Sequence, residues 1–178
     1  MRASIIAFSL LSTLVSGLAV PEVIARQAET LQPSLAVNVD QSSPDKASGP
    51  VTTGRVSRTN GQKDVQMLLS FELEARPGKT CAFAFSGPTK LEGSKRMKIS
   101  GVDGTIAKDN TFDSRPTKGD SLCVMTVAEQ GPATQDGAKC TFPCPDSKTV
   151  MGVMVEAADD NVEITWNIGN GGLTIQPN

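Results

Sequence analysis

Apolar residues recur at every second position along most of this chain, and that period predicts strands. "VQMLLSFEL" sets Val65, Met67, Leu69, Phe71 and Leu73 on one face. "SLAVNVD" does the same with Leu35, Val37 and Val39. "CAFAFS" gathers Cys81, Phe83 and Phe85 opposite Ala82 and Ala84, and "VEITW" turns Val162, Ile164 and Trp166 away from Glu163 and Thr165. "MKISG", "LCVMTVA", "AKCTF", "VMGVMVEA" and "GLTI" extend the series. The separators "ARPGK", "SGPT", "VDGT", "SRPTKGD", "EQGPATQDGA", "ADDN" and "GNGG" are rich in the residues that make turns. The longer stretch "NVDQSSPDKASGPVTTG" reads as a loop linking the first strand to the rest. Many short strands with Gly/Pro turns predict an all-β fold, an antiparallel β-sandwich of immunoglobulin-like or jelly-roll-like type. Its expected core holds Leu69, Phe71, Phe83, Phe85, Val153, Val155, Ile164 and Trp166.

The N-terminus follows a different pattern. Arg2 precedes an apolar run from Ala3 to Val15, and Gly17 and Ala19 stand three and one residues before a cleavage point. That is the layout of a secretory signal peptide over residues 1–19. Ser9, Ser12 and Thr13 break the run, which is short for a membrane span of about 20 apolar residues. Residues 20–33 read as a pro-segment ending near Arg26 or as a loose arm, and residues 34–178 as one domain of sufficient size to bury a core. The expected location is secreted, extracellular or wall-associated, with no stable membrane insertion.

Composition removes several chemistries. The chain has no histidine, so the Ser-His-Asp and Cys-His devices and the commonest zinc ligand are missing. It has no tyrosine and one tryptophan, which makes a stacked-ring sugar platform thin. A net charge of −2 without a basic stripe argues against nucleic acid. The one basic cluster, "KLEGSKRMK" with Lys90, Lys95, Arg96 and Lys98, reads as a solvated strand edge. No Asn-x-Ser/Thr sequon is present.

What remains for an enzyme is carboxylate, lysine or cysteine. Glu156, Asp159, Asp160 and Glu163 form the one dense acidic group, a candidate surface site. A glycosidase needs two acids about 5 to 9.5 Å apart across the scissile bond. A turn at "AADDNVE" accounts for the same residues, because Asp and Asn favour turns. Clustered oxygens there also suit a weak calcium site, but the spacing is not that of an EF-hand, and no metal or cofactor is expected. Cys81, Cys123, Cys140 and Cys144 offer a nucleophile, a zinc site or staples. No histidine activates a thiol, Cys140 and Cys144 lack a second close pair, and export favours oxidation. The four are expected to form two disulfides, and three pairings are open.

Four segments carry a family resemblance. "SLAVNVDQSSPDKASGPVTTGRVS", "LLSFELEARPGKTCAFAF", "FPCPDSKTVMGVMVEA" and "VEITWNIGNGGLTI", in that order, resemble the C-terminal domain of the fungal But-two family, whose members are commonly secreted β-rich proteins. This chain departs from the pattern by adding Cys123 and Cys140 and by its acidic "FELEARPG". Cys81 and Cys144 both fall on elements that match the family, so the resemblance implies a Cys81–Cys144 link. Cys123–Cys140 then joins two strands of a hairpin around "EQGPATQDGA". The family is named for a protein that binds the activating enzyme of a ubiquitin-like modifier inside the cell. An exported chain would not meet that partner, so the resemblance implies a fold rather than an activity. The expected function is a secreted non-catalytic module that binds an extracellular protein or polysaccharide of a cell wall, surface or host. The alternative is a small carboxylate-dependent glycosidase.

Overall fold

A computed structural model describes residues 29–136 and 140–178. The signal peptide and the junction at Arg26 lie outside the described residues. Every regular element among the described residues is a strand: β1 (Leu35–Asp40), β2 (Thr53–Thr59), β3 (Gln62–Leu73), β4 (Thr80–Ser86), β5 (Pro88–Gly93), β6 (Arg96–Asp103), β7 (Thr117–Thr126), β8 (Thr134–Gln135), β9 (Thr141–Pro143), β10 (Thr149–Ala157), β11 (Val162–Asn167) and β12 (Gly172–Pro177). They build two antiparallel sheets. The larger has nine strands in the order β5-β11-β2-β3-β10-β6-β7-β8, with β1 added on β3; the smaller has the order β12-β4-β9.

The expected sandwich is therefore present, and its core is the one the alternation marks. Leu69, Phe71, Val153, Val155, Ile164 and Trp166 face Phe83, Phe85, Leu173 and Ile175 across the two sheets in one buried cluster. Trp166 meets Phe85 edge-on, with ring centroids 5.2 Å apart. It also sits where no other residue leaves room. A β-carbon on Gly54, its cross-strand neighbour on β2, would lie 2.2 Å from the indole, and one on Gly172 of β12 would lie 2.0 Å away. Before β1, Leu31 already pairs with Ile175 through two main-chain hydrogen bonds of 2.8 and 3.1 Å.

Three strands escaped the pattern. β2 begins inside the stretch read as a loop, and its sequence TGRVSRT carries two arginines that dilute the apolar signal. The Asn60-Gly61 pair that closes the β2–β3 hairpin, with φ of 51° and 72°, was the available clue. β5 starts within the separator "SGPT" and pairs with β11 alone, so it is an edge strand, mostly exposed, with Leu91 packed on the main core. Lys90 and Glu92 on it are charged residues of the kind that protect such edges, whereas Arg96 and Lys98 of the same basic cluster lie on β6, an interior strand. β8 is a two-residue strand inside "EQGPATQDGA".

Burial is also two-sided where the alternation suggested one face. Leu68 points away from Met67 and Leu69 into a second, smaller core with Val37, Val39, Ile106 and Met154. The connection between β6 and β7 covers that outer face, carrying Ile106 and Phe112 onto it. Asn110 braces the connection: its Oδ1 accepts from the Ala107 amide at 2.7 Å, and its Nδ2 donates to the Ser114 carbonyl at 3.1 Å.

Both disulfides form as paired above. Cys81–Cys144 bridges β4 to the residue following β9 within the small sheet, with Cα atoms 5.0 Å apart. Cys123–Cys140 has its Cα atoms 4.8 Å apart, but it does not close a simple hairpin. After β7 the chain pairs back as β8 and then goes to the small sheet, where the Cys140 carbonyl accepts from the Phe83 amide at 2.8 Å. This second disulfide thus joins the large sheet to the small one. The strand that leaves is the one residue-level spacing could not foresee, because sheet membership is a tertiary choice.

Two outcomes are expected. Gly54→Ala should destabilise the fold by about 3 kcal/mol, since the added methyl overpacks Trp166. Gly49→Ala, whose β-carbon meets nothing within 4 Å, should cost about 1 kcal/mol from its positive φ alone. Urea denaturation that ranks the two equally would reject the wedge. Replacing Cys81 and Cys144 together should remove about 4 kcal/mol, and replacing Cys123 and Cys140 about 3 kcal/mol, from the loop lengths of 63 and 17 residues. Non-reducing peptide maps should contain those two linked pairs and no Cys81–Cys123 peptide.

Candidate functional site

The four acids do not gather into one catalytic pair. Glu156 lies on β10, only 6 % exposed, and Lys118 Nζ donates to its two oxygens at 3.0 and 3.4 Å. Asp159, in the turn after β10, holds Arg96 Nη1 at 2.9 Å. Glu163 on β11 is paired with Lys90 at 2.9 Å and Arg55 at 3.4 Å. Asp160 stays in the turn, where its carbonyl accepts from the Gly61 amide at 3.1 Å. The turn thus accounts for Asp159 and Asp160. It does not account for Glu156, a buried strand residue facing away from the main core.

Arg96 connects that turn to the chain beyond β8. Its Nε donates to Asp136 at 2.8 Å, and Thr126 Oγ1 donates to the same oxygen at 2.8 Å. The Arg96 hydrogen bond, then that of Thr126, holds the Asp136 carboxyl below the usual carboxylate range. Glu163 in turn holds the exposed Lys90 ammonium above the usual lysine range. Among the described residues no group of three or more His, Cys, Asp or Glu is assembled as a metal site.

Glu156 opens onto a groove that the sequence did not announce. β3 and β10 alternate, so Gln66 and Glu156 share the outer face with the second-core residues Leu68 and Met154. The connection between β6 and β7 covers those apolar neighbours and then rises at Asp113 and Arg115 before β7 begins. Gln66, Asp113, Arg115, Lys118, Met154 and Glu156 line the resulting groove of about 340 Å³. Arg115 is fixed there: its guanidinium lies 3.7 Å from the Phe112 ring centroid and donates to the Phe112 carbonyl. Gln66 is 5 % exposed, and its Oε1 is buried with no hydrogen-bond partner. Such an atom is costly, by about 1 to 3 kcal/mol, and marks a place that the fold alone does not explain. The signal in the sequence was polar Gln66 at a position flanked by Val65 and Met67, and Glu156 inside the apolar run VMGVMVEA.

These features define a disulfide-stapled β-sandwich with a charged groove on the outer face of its larger sheet. The family model described as the ubiquitin 3 binding protein But2 C-terminal domain matches residues 31–168, and the chain belongs to that family. Its first matched residue is Leu31, the residue at which the chain docks on β12. No curated protein matches the chain.

Because Asp136 binds its proton less readily in the folded chain than in the unfolded one, its contribution is complete at neutral pH. It is lost as pH falls through the lowered folded value, below the ordinary Asp value of about 3.9. Asp136→Asn should therefore lower the melting temperature at pH 7 and make little difference near about pH 2. A gap between the two proteins that stays constant across this range would show that Arg96 does not act through the charge of Asp136.

Proposed function

We propose that this chain is an exported, non-catalytic β-sandwich module that binds a cell-wall, surface or host component through the outer face of its larger sheet. The observation that supports it most is the fate of the four acids. Each glycosidase acid must share one substrate bond with its partner, whereas Glu156, Asp159 and Glu163 are engaged by Lys118, Arg96 and the Arg55–Lys90 pair respectively. The But2 family is not a known enzyme family, and it takes its description from a binding protein. Two disulfides fit an oxidising compartment, and no helix among the described residues is long and apolar enough to cross a membrane. With residues 1–19 as the signal peptide, secreted material begins at Val20, or at Gln27 after a further cut at Arg26.

The test is direct. Purified secreted protein should be retained by isolated cell-wall material or by a surface extract, and should release no sugar from polysaccharide substrates. Glycan turnover that disappears when Glu156, Asp159, Asp160 or Glu163 is replaced by its amide would establish the glycosidase instead. N-terminal sequencing that returns Met1 from secreted material would remove the export part of this reading.

A further inference from the structure

The groove at Gln66 and Glu156 has a chemistry that narrows what it can hold, and this inference rests on the binding function proposed above. Its charges balance: Asp113 and Glu156 oppose Arg115 and Lys118. A strongly charged ligand would bring like charge against one of these pairs in a partly desolvated site. A hydroxyl group meets no such conflict, because it donates to carboxylates and accepts from ammonium or guanidinium. The buried, unpartnered end of the Gln66 amide asks for the same versatility. Rotation about its soft last torsion exchanges its oxygen and nitrogen, and a hydroxyl pairs with whichever end faces the groove. Met154, almost wholly buried, is the apolar residue at the floor. The volume, about 340 Å³, is at the small end of ligand sites, so it suits one or two rings rather than a long segment.

The geometry points to a subsite for an uncharged pyranose unit of a polysaccharide, in which Glu156, held by Lys118, accepts from the sugar hydroxyls and the groove-facing end of the Gln66 amide hydrogen-bonds to the ligand. Lys118 and Arg115 at the rim donate to ring or hydroxyl oxygens. The arrangement uses charged and amide groups for a task that stacked aromatic rings perform elsewhere, which suits a chain without tyrosine. The buried Gln66 is the residue that separates a binding site from a merely solvated charge cluster. Arg76 Nε and Ser100 Oγ are also buried without a partner, but neither residue lines this groove, and Gln66 does.

The experiment uses the secreted full chain and uncharged gluco-, manno- and chito-oligosaccharides, with a lysine-rich peptide as the competing probe. In the wild-type protein, the side-chain amide resonance of Gln66 should shift on titration with at least one of the sugars. Gln66→Leu should retain the melting temperature of the wild type or exceed it, because an unpaired polar group is removed, and should weaken sugar binding about tenfold. Glu156→Gln should weaken it further, and if that variant fails to fold, the wild-type Gln66 resonance still decides. Sugar binding that leaves the Gln66 resonance and the Gln66→Leu affinity unchanged overturns this subsite but leaves the module reading intact. Capture of the peptide and not the sugars, lost with Glu156→Gln, overturns the sugar assignment alone. Retention of neither probe, together with no retention by wall or surface material, overturns both.

Discussion

The packing of Trp166 between the two sheets is the constraint on which the rest of the molecule depends. Trp166 leaves β11 on the large sheet, meets Phe85 of the small sheet edge-on, and is seated against the backbone of Gly54 and Gly172. Aromatic side chains carry much of the energy of a core because they bury a large area, and an edge-to-face partner adds about 0.5 to 1.5 kcal/mol. The two glycines are the steric counterpart of that gain. They let the backbones of β2 and β12 approach the indole, which fixes the separation of the sheets at the end where β12 begins. Gly172, with φ of 81°, also turns the chain into β12, so one residue provides both the space and the bend.

At the other end of the sandwich the same separation is held covalently. A three-stranded sheet has little area to bury on its own, and β9 contributes three residues to it. Cys81–Cys144 holds β9 and the residue after it against β4, and Cys123–Cys140 ties the approach to β9 to the large sheet. The small sheet is thus clamped by an aromatic wedge at β12 and by disulfides at β9. A chain stabilised in this way suits an oxidising environment, where both bridges persist.

With the sheets held together on their inner faces, the outer face of the large sheet is free to carry something else. The connection between β6 and β7 lies over half of it and makes a small second core around Leu68 and Met154. The other half stays polar, and there the buried Glu156 and Gln66 meet Lys118 and Arg115. Two strands, β3 and β10, therefore serve three tasks at once: they line the main core, seat the covering loop and form the floor of the groove. That explains why their sequences are apolar beyond simple alternation.

How much of this was legible in the residues depends on the range of the interaction. The strands with strict alternation, the eight core residues from Leu69 to Trp166, and the oxidised state of the cysteines all follow from local period and composition, because a pleated strand with one buried face imposes them within a few residues. Edge strands impose no such pattern. β5, a mostly exposed edge strand, and β2, with its arginines, were hidden in segments read as turn and loop. The acids show the same divide. Asp159 and Asp160 are in the turn their residue types favour, but Glu156, a few residues earlier in the same acidic run, is buried on a strand beside Lys118, 38 residues away. What the sequence by itself determined was a disulfide-stapled β-sandwich with a particular core. The tertiary structure alone decided that Cys140 joins the sheet opposite β7 and that Gln66, Glu156, Arg115 and Lys118 share a groove. Those choices depend on which strands become neighbours, and neighbour relations arise from pairings across long stretches of chain that no local period encodes.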